Sequence, residues 1–165
     1  MDLYIFRHAQ TYFSKMDIPY GDKVESAEIL EEGKPAIVKL ANYLKDIETD
    51  VNFTSPYKRC IQTSGIVSEV TGKVYEIDVR LRDWDPRVES LPEHIKRLDN
   101  YCNELQTMNH ELNTVSICTH GYPINAVIAY FTKGRILESE LPNFPAPGIL
   151  VTIRDKKLSY KDFNS

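Results

Sequence analysis

Short apolar runs alternate along this chain with longer segments whose apolar residues recur at helical spacing, and that alternation restricts the fold more than any other feature. Leu3–Phe6, Val51–Thr54, Lys73–Ile77 and Thr114–Cys118 read as strands. The first ends at Arg7-His8 and opens onto a long polar loop. Ile37, Leu40, Ala41, Leu44 and Ile47 then mark a helix that starts around Pro35, and Ser55-Pro56 caps a second that runs to about Val70 and stops at Thr71-Gly72. Ser90-Leu91-Pro92-Glu93 fits a capping box, with Leu91, Ile95, Leu98, Cys102, Leu105 and Met108 following on one face. Ile124, Val127, Ile128 and Phe131 make a further helical face, and Ile149–Ile153 and Leu158–Phe163 read as closing strands joined by a tight turn at Asp155-Lys156. Such a sequence predicts an α/β domain, a three-layer α/β/α sandwich whose mostly parallel central sheet carries helices on both faces.

No repeat or low-complexity tract divides the 165 residues, so one domain over 1–165 is expected. The formal net charge of −4 argues against duplex nucleic acid or an anionic membrane as the main partner, because both demand a dense stripe of Lys and Arg. The longest purely apolar stretch, Ala126–Phe131, is too short to cross a bilayer, and Met1-Asp2-Leu3 lacks the basic start of a signal peptide. Cys60, Cys102 and Cys118 are widely spaced and form no CxxC pair, which suggests reduced core thiols and neither a disulfide framework nor a zinc site. A cytoplasmic protein is the expectation.

Ligands of open α/β sheets bind beyond the carboxyl ends of the strands. Two strands of this chain end at a histidine, at Arg7-His8 and at Thr119-His120-Gly121, and Arg59 sits at the start of the helix after Val51–Thr54. Arg7, His8, Arg59 and His120 can therefore converge on one crevice. Two guanidiniums match phosphate oxygens in bidentate geometry, and imidazoles can donate to a phosphoryl group or attack it. Rival chemistries fail on spacing: no cysteine has an arginine six positions later, Asp83-Trp84-Asp85 does not follow an apolar strand, and no P-loop is present. His94 and His110 show no metal spacing and are expected on the surface of the long helix.

Arg7-His8-Ala9-Gln10-Thr11 after the first strand resembles the R-H-G motif of the histidine phosphatase superfamily, which has the phosphoglycerate-mutase-like fold. Leu30-Glu31-Glu32-Gly33 is similar to its L-T-x-x-G helix start, Ser55–Thr63 to its S-x-x-x-R-x-x-Q-T segment, and Cys118-Thr119-His120-Gly121 to its second H-G. The likeness is greatest to small members such as the phosphohistidine phosphatases. It implies that His8 is a nucleophile that becomes transiently phosphorylated, that Arg7, Arg59 and His120 surround the phosphoryl oxygens, and that Gln10, Thr11 and Gly121 add phosphate contacts. It also implies a cofactor-independent phosphatase, with no metal, acting on a phosphorylated small molecule or phosphoprotein and releasing inorganic phosphate.

The family often carries a glutamate proton donor in an L-x-E segment. Leu81-Arg82-Asp83 lies in the matching place, so Asp83 is the candidate and Asp85 the substitute, against pairing of this loop carboxylate with Arg80, Arg82 or Arg87. Ala9 stands where the family usually has glycine. The asparagine that mutases place shortly after the first motif has no counterpart in Thr11–Asp17, which speaks against a mutase. A phosphoglycerate-type mutase and a non-catalytic phosphate-binding protein are the alternative readings. The resemblance implies that the loop Pro142–Gly148 rims the site, and Tyr12, Tyr57 and Tyr122 adjoin the motifs. Between Arg59 and His120 the chain has little room for the helical cap of larger relatives, so an open, shallow site is expected. Sequence does not fix the oligomeric state.

Overall fold

The computed structural model describes residues 1–108 and 110–165. Strand β1 (Asp2–Arg7) is followed by a short helix α1 (Tyr12–Met16), helix α2 (Lys34–Leu44), strand β2 (Val51–Thr54), helix α3 (Lys58–Thr71) and strand β3 (Tyr75–Ile77). Helix α4 (Leu91–Thr107), strand β4 (Thr114–Thr119), helix α5 (Gly121–Lys133) and strands β5 (Ile149–Arg154) and β6 (Lys157–Asp162) complete the order. The six strands form one sheet in the order β3-β2-β4-β1-β5-β6. The pairs β2·β3, β2·β4 and β1·β4 are parallel, whereas β1·β5 and β5·β6 are antiparallel. The closing hairpin turns at Asp155 and Lys156, both with positive φ, the backbone a tight two-residue turn requires.

Two apolar clusters cover the two faces of the sheet. Leu98, Tyr101, Cys102 and Leu105 of α4 pack with Ile124 and Val127 of α5 against Leu3, Ile5, Val115 and Ile117. On the other face Ile37, Leu40, Ala41 and Leu44 of α2 join Cys60 and Val67 of α3 on Tyr4, Phe6 and Cys118. The central strands β1 and β4 therefore bury both sides, which is why they hold no regular alternation of buried and exposed residues, whereas the edge strand β6 is exposed throughout. All three cysteines are free and buried. Among the described residues no helix is long and apolar enough to cross a membrane.

The capping box at Ser90 and Glu93 is present, with Ser90 Oγ accepting from the Glu93 amide and Glu93 Oε2 from the Ser90 amide. Two local expectations give way. Ser55 does not cap α3; Tyr57 holds that position without a side-chain bond, because the Ser55 hydroxyl is taken by His120 and by the Tyr57 amide. His94 is fully buried on α4, while His110 is exposed and lies beyond the helix end.

Candidate active site

Parallel pairing of β1 with β4 in the register Arg7↔Thr119 sets the next residue of each strand, His8 and His120, side by side. The His8 amide extends the ladder by donating to the Thr119 carbonyl at 3.1 Å, and the two imidazole centroids lie 5.4 Å apart. On the other flank of β4 the Ser55 amide donates to the Cys118 carbonyl at 3.0 Å, and Ser55 Oγ meets His120 Nε2 at 2.7 Å. Sheet order alone thus delivers three site residues from three neighbouring strand ends.

Tautomer and charge follow from the contacts of each ring. Nδ1 of His8 lies 2.8 Å from the carbonyl oxygen of Ala9, which can only accept, so Nδ1 carries the hydrogen and Nε2 keeps its lone pair. That Nε2 is buried and has no hydrogen-bond partner among the described residues. Burial, then Arg7 and Arg59, hold the His8 imidazole well below its usual pKa, so it is neutral at physiological pH. Burial, then Arg59, His8 and Arg7, do the same to His120. An incoming phosphate would supply the opposing negative charge and favour a protonated His120.

Arg59 is completely buried. Its Nη1 donates to the Val24 carbonyl, its Nη2 donates to Asp83 Oδ2 at 3.0 Å, and its guanidinium lies 3.9 Å from the centroid of the Tyr20 ring. Arg7 stacks under Phe144 at 4.8 Å. The Nε donors of both arginines are buried without partners among the described residues. Two guanidiniums facing one carboxylate leave the site net positive, which suits an anionic ligand.

Asp83 occupies the remaining side. It accepts from Arg59 and from the Trp84 amide at 3.0 Å, and its Oδ2 lies 3.8 Å from His120 Nδ1. Burial raises its pKa against the pull of Arg59 and Arg7. The three neighbouring arginines are engaged elsewhere, Arg80 with Asp78, Arg82 with Glu89 and Arg87 with Asp85. Asp85 is thereby committed to Arg87, and only Asp83 enters the cluster.

The family profile of the histidine phosphatase superfamily (branch 1) matches residues 3–88, just over half of the chain. The chain belongs to that superfamily. No curated protein sequence matches it. Similar solved structures include the alpha-ribazole phosphatase from Shigella flexneri, at 18% identity and a TM-score of 0.78 over 100% of this chain and 96% of that one. The protein histidine phosphatase SixA complexed with tungstate aligns at 17% identity and a TM-score of 0.69, covering 98% and 94% of the two chains. Phosphoglycerate mutase from Bacillus anthracis aligns at 14% identity and a TM-score of 0.73, covering 99% and 92%. At such identities the likeness establishes the phosphoglycerate-mutase-like fold.

Several motif residues of this histidine phosphatase family member serve the backbone. Thr63 Oγ1 accepts from the Ala9 amide at 2.9 Å and donates to the Arg59 carbonyl, while Gln62 Oε1 accepts from the Ile29 amide. Gly33 lets the start of α2 approach the first loop, since a Cβ there would lie 2.9 Å from the Gln10 amide nitrogen. Neither Gln10 nor Thr11 is placed as the motif suggested. Gln10 lines a separate cleft with Glu32, Gly33 and Lys39, and the buried Thr11 caps α1, its hydroxyl engaged by Ser14 and by Tyr20 Oη at 2.8 Å. Gly121 borders the cavity beside Arg7, and a Cβ on it would fall 2.3 Å from the Phe144 ring.

Sequence reasoning missed Tyr20, Trp84 and Phe144, which no spacing rule marks. Tyr57 reaches the site, 5.4 Å from His120 between ring centroids, and Tyr122 lines the cavity, whereas Tyr12 is exposed. The Pro142–Gly148 loop contributes Phe144. Among the described residues no helical cap is inserted between Arg59 and His120, and a cavity of ≈ 240 Å³, open to solvent, lies over Arg7 and Asp83 and is lined by aromatic rings.

Beneath the Asp83 loop lies a buried ionic group. Arg97 Nη1 donates to the carbonyls of Arg80 at 2.6 Å and Arg82 at 2.9 Å, and Thr119 Oγ1 donates to the carbonyl of Leu81 between them at 2.6 Å. Glu89 and His94 complete the cluster around Arg97. Burial, then Arg97, push the His94 pKa down to about 4 from 6.5. The unfolded chain therefore binds a proton at His94 that the folded one refuses between those values. Its contribution to stability is intact above about pH 6.5 and is lost as the pH falls toward 4, to a total of about 3 kcal/mol. His8 and His120 act with the same sign. Urea unfolding between about pH 7 and about pH 4.5 should show falling stability, with a slope reduced by about one proton in His94→Gln. An unchanged slope in that variant would count against the assignment.

Proposed function

We propose that this protein is a cofactor-independent phosphatase that works through a phosphohistidine on His8. The observation that carries this reading is the buried, unpartnered Nε2 of His8, its lone pair set by the Nδ1 bond to Ala9 and flanked by Arg7 and Arg59. In the first step Nε2 attacks phosphorus, the bond from phosphorus to the leaving oxygen breaks, and Asp83 gives its proton to that oxygen. In the second, water attacks the phosphohistidine, the P–N bond breaks, Asp83 takes the water's proton, and inorganic phosphate leaves. Arg7, Arg59 and a protonated His120 hold the charge that spreads over the transferring group; positioning and charge stabilisation supply most of the catalysis in such transfers. The substrate is a phosphorylated small molecule or a phosphoprotein.

Incubation with an isotopically labelled aryl phosphate, followed by an alkaline quench, should leave acid-labile, alkali-stable label on His8. Turnover without such label would reject the intermediate. Burial raises the Asp83 pKa, which favours the protonated form a donor needs, and the benefit of that proton depends on how badly the leaving oxygen needs it. Asp83→Asn should slow alkyl phosphate hydrolysis by roughly 10²- to 10⁴-fold and 4-nitrophenyl phosphate far less. Equal losses on both would remove Asp83 from the donor role.

A further inference from the structure

The cavity above Arg7 and Asp83 is built from rings on both sides. Phe13 and Tyr20 form one wall, with centroids 4.9 Å apart, and Trp84, Tyr122 and Phe144 form the other. The indole of Trp84 lies flat on the Tyr122 ring, at 5.4 Å and an interplanar angle of 9°, and Phe144 meets Tyr122 edge-on at 5.9 Å. The second wall is fixed from behind: Trp84 Nε1 donates to the Glu89 carbonyl at 3.2 Å, and Glu89 is held by Arg97.

Most of the polar groups that border this space are already committed inside the protein. Ser14 Oγ accepts from the Thr11 amide and donates to the Thr11 carbonyl, Tyr20 Oη is bonded to Thr11 Oγ1, and the Trp84 N–H is taken by Glu89. A polyol would find few donors or acceptors in exchange for its water, and unpaired polar groups are costly to bury. Among the described residues the one exposed charge on the rim is Asp17, which disfavours a leaving group bearing a carboxylate or second phosphate.

We infer that the leaving group of the substrate is an uncharged aromatic ring, seated between Phe13 and Tyr20 on one side and Trp84, Tyr122 and Phe144 on the other, with its phosphoryl group on Arg7. The inference rests on the phosphatase reading for the placement of the phosphoryl group, but ring selection can be measured without turnover. Trp84 is the chain's only tryptophan, so its fluorescence reports binding at this wall. Benzylphosphonate and ethylphosphonate, which are not hydrolysed, differ in the ring alone. Benzylphosphonate should bind about tenfold or more tightly, the order expected for moving one ring from water to aromatic walls. Phe13→Leu, which lies outside both core clusters, and Tyr122→Leu, which replaces one apolar contact with the core by another, both keep Trp84 as reporter and should each bring the ratio toward one.

Hydrolysis then tests the same preference at the reacting centre. Benzyl and ethyl phosphate release alcohols of similar acidity, so a kcat/KM ratio of about ten or more reflects the pocket instead of the leaving oxygen. Equal binding and equal kcat/KM, a preference for glycerol phosphate, or a ratio untouched by both wall variants would overturn the inference. A strong ring preference in phosphonate binding, with no turnover of any ester, would sustain selection of an aromatic phosphorylated ligand by this cavity while rejecting the phosphatase reading. Phenyl phosphate and a phosphotyrosyl tripeptide, matched in leaving group, distinguish a free aromatic ester from a side chain on a peptide; slower turnover of both than of ethyl phosphate would again overturn the inference.

Discussion

His8→Ala protein is expected to hydrolyse aryl phosphates at least about a thousandfold more slowly than the parent, because losing a nucleophile removes the whole covalent route, and what remains is binding and charge stabilisation. The substitution removes a buried ring with a single hydrogen bond, to Ala9, so folding should survive it. Arg7, Arg59 and His120 remain to bind phosphate, and inorganic phosphate should still compete for the site. Steady-state rates with 4-nitrophenyl phosphate, alongside a far-ultraviolet dichroism spectrum to verify the fold, provide the measurement. A folded variant that retains a tenth of the parent rate would exclude His8 as nucleophile.

The second large effect falls on Arg59. Its side chain bonds the Val24 carbonyl and Asp83, lies against Tyr20, and is wholly removed from solvent. Arg59→Leu leaves the Asp83 carboxylate without its closest cation and a carbonyl without its donor. Removing one partner of a buried ion pair costs about 3–5 kcal/mol. Asp83 is partly exposed, so the lower end of that range is expected, read from the urea midpoint and slope. Activity should fall as well, by roughly 10²- to 10³-fold, since one of the two guanidiniums on the transferring group is gone. Arg59→Lys restores the charge but not the fork that reaches Val24 and Asp83 together, so it should recover only part of either loss. Stability within 1 kcal/mol of the parent in Arg59→Leu would show that the buried contacts contribute little.

Much of the site could be read from the chain because strand order and site chemistry coincide. A buried strand announces itself by a continuous apolar run, and the residue just beyond it is placed by the sheet; His8 and His120 needed nothing more. Arg59 and Asp83 were reachable by motif. Thr11 and Gln10 were read as phosphate contacts because they follow His8 in sequence, but a helix cap claims one and the approach of Gly33 turns the other to a different cleft. The lack of metal spacing between His94 and His110 suggests surface positions for both, yet His94 is buried. Its position, three after Leu91 and four before Leu98, lies on the apolar face of α4, and spacing was the better guide. Tyr20, Trp84 and Phe144 come from three separate loops, where packing rather than periodicity decides which way a ring turns.

The bond from His8 to the carbonyl of Ala9 has an evolutionary consequence. The group that orients the proposed nucleophile is part of the main chain, so no point substitution can delete it, and it has no proton of its own to gain or lose. A histidine oriented by aspartate would inherit that carboxylate's titration and its vulnerability to mutation. In this protein the vulnerability moves to Thr63, whose hydroxyl holds the Ala9 amide and ties the turn to helix α3. The side chain at position 9 is therefore not what orients His8, and loss of Thr63 would loosen the turn while leaving Arg7, His8, Arg59 and His120 in the chain.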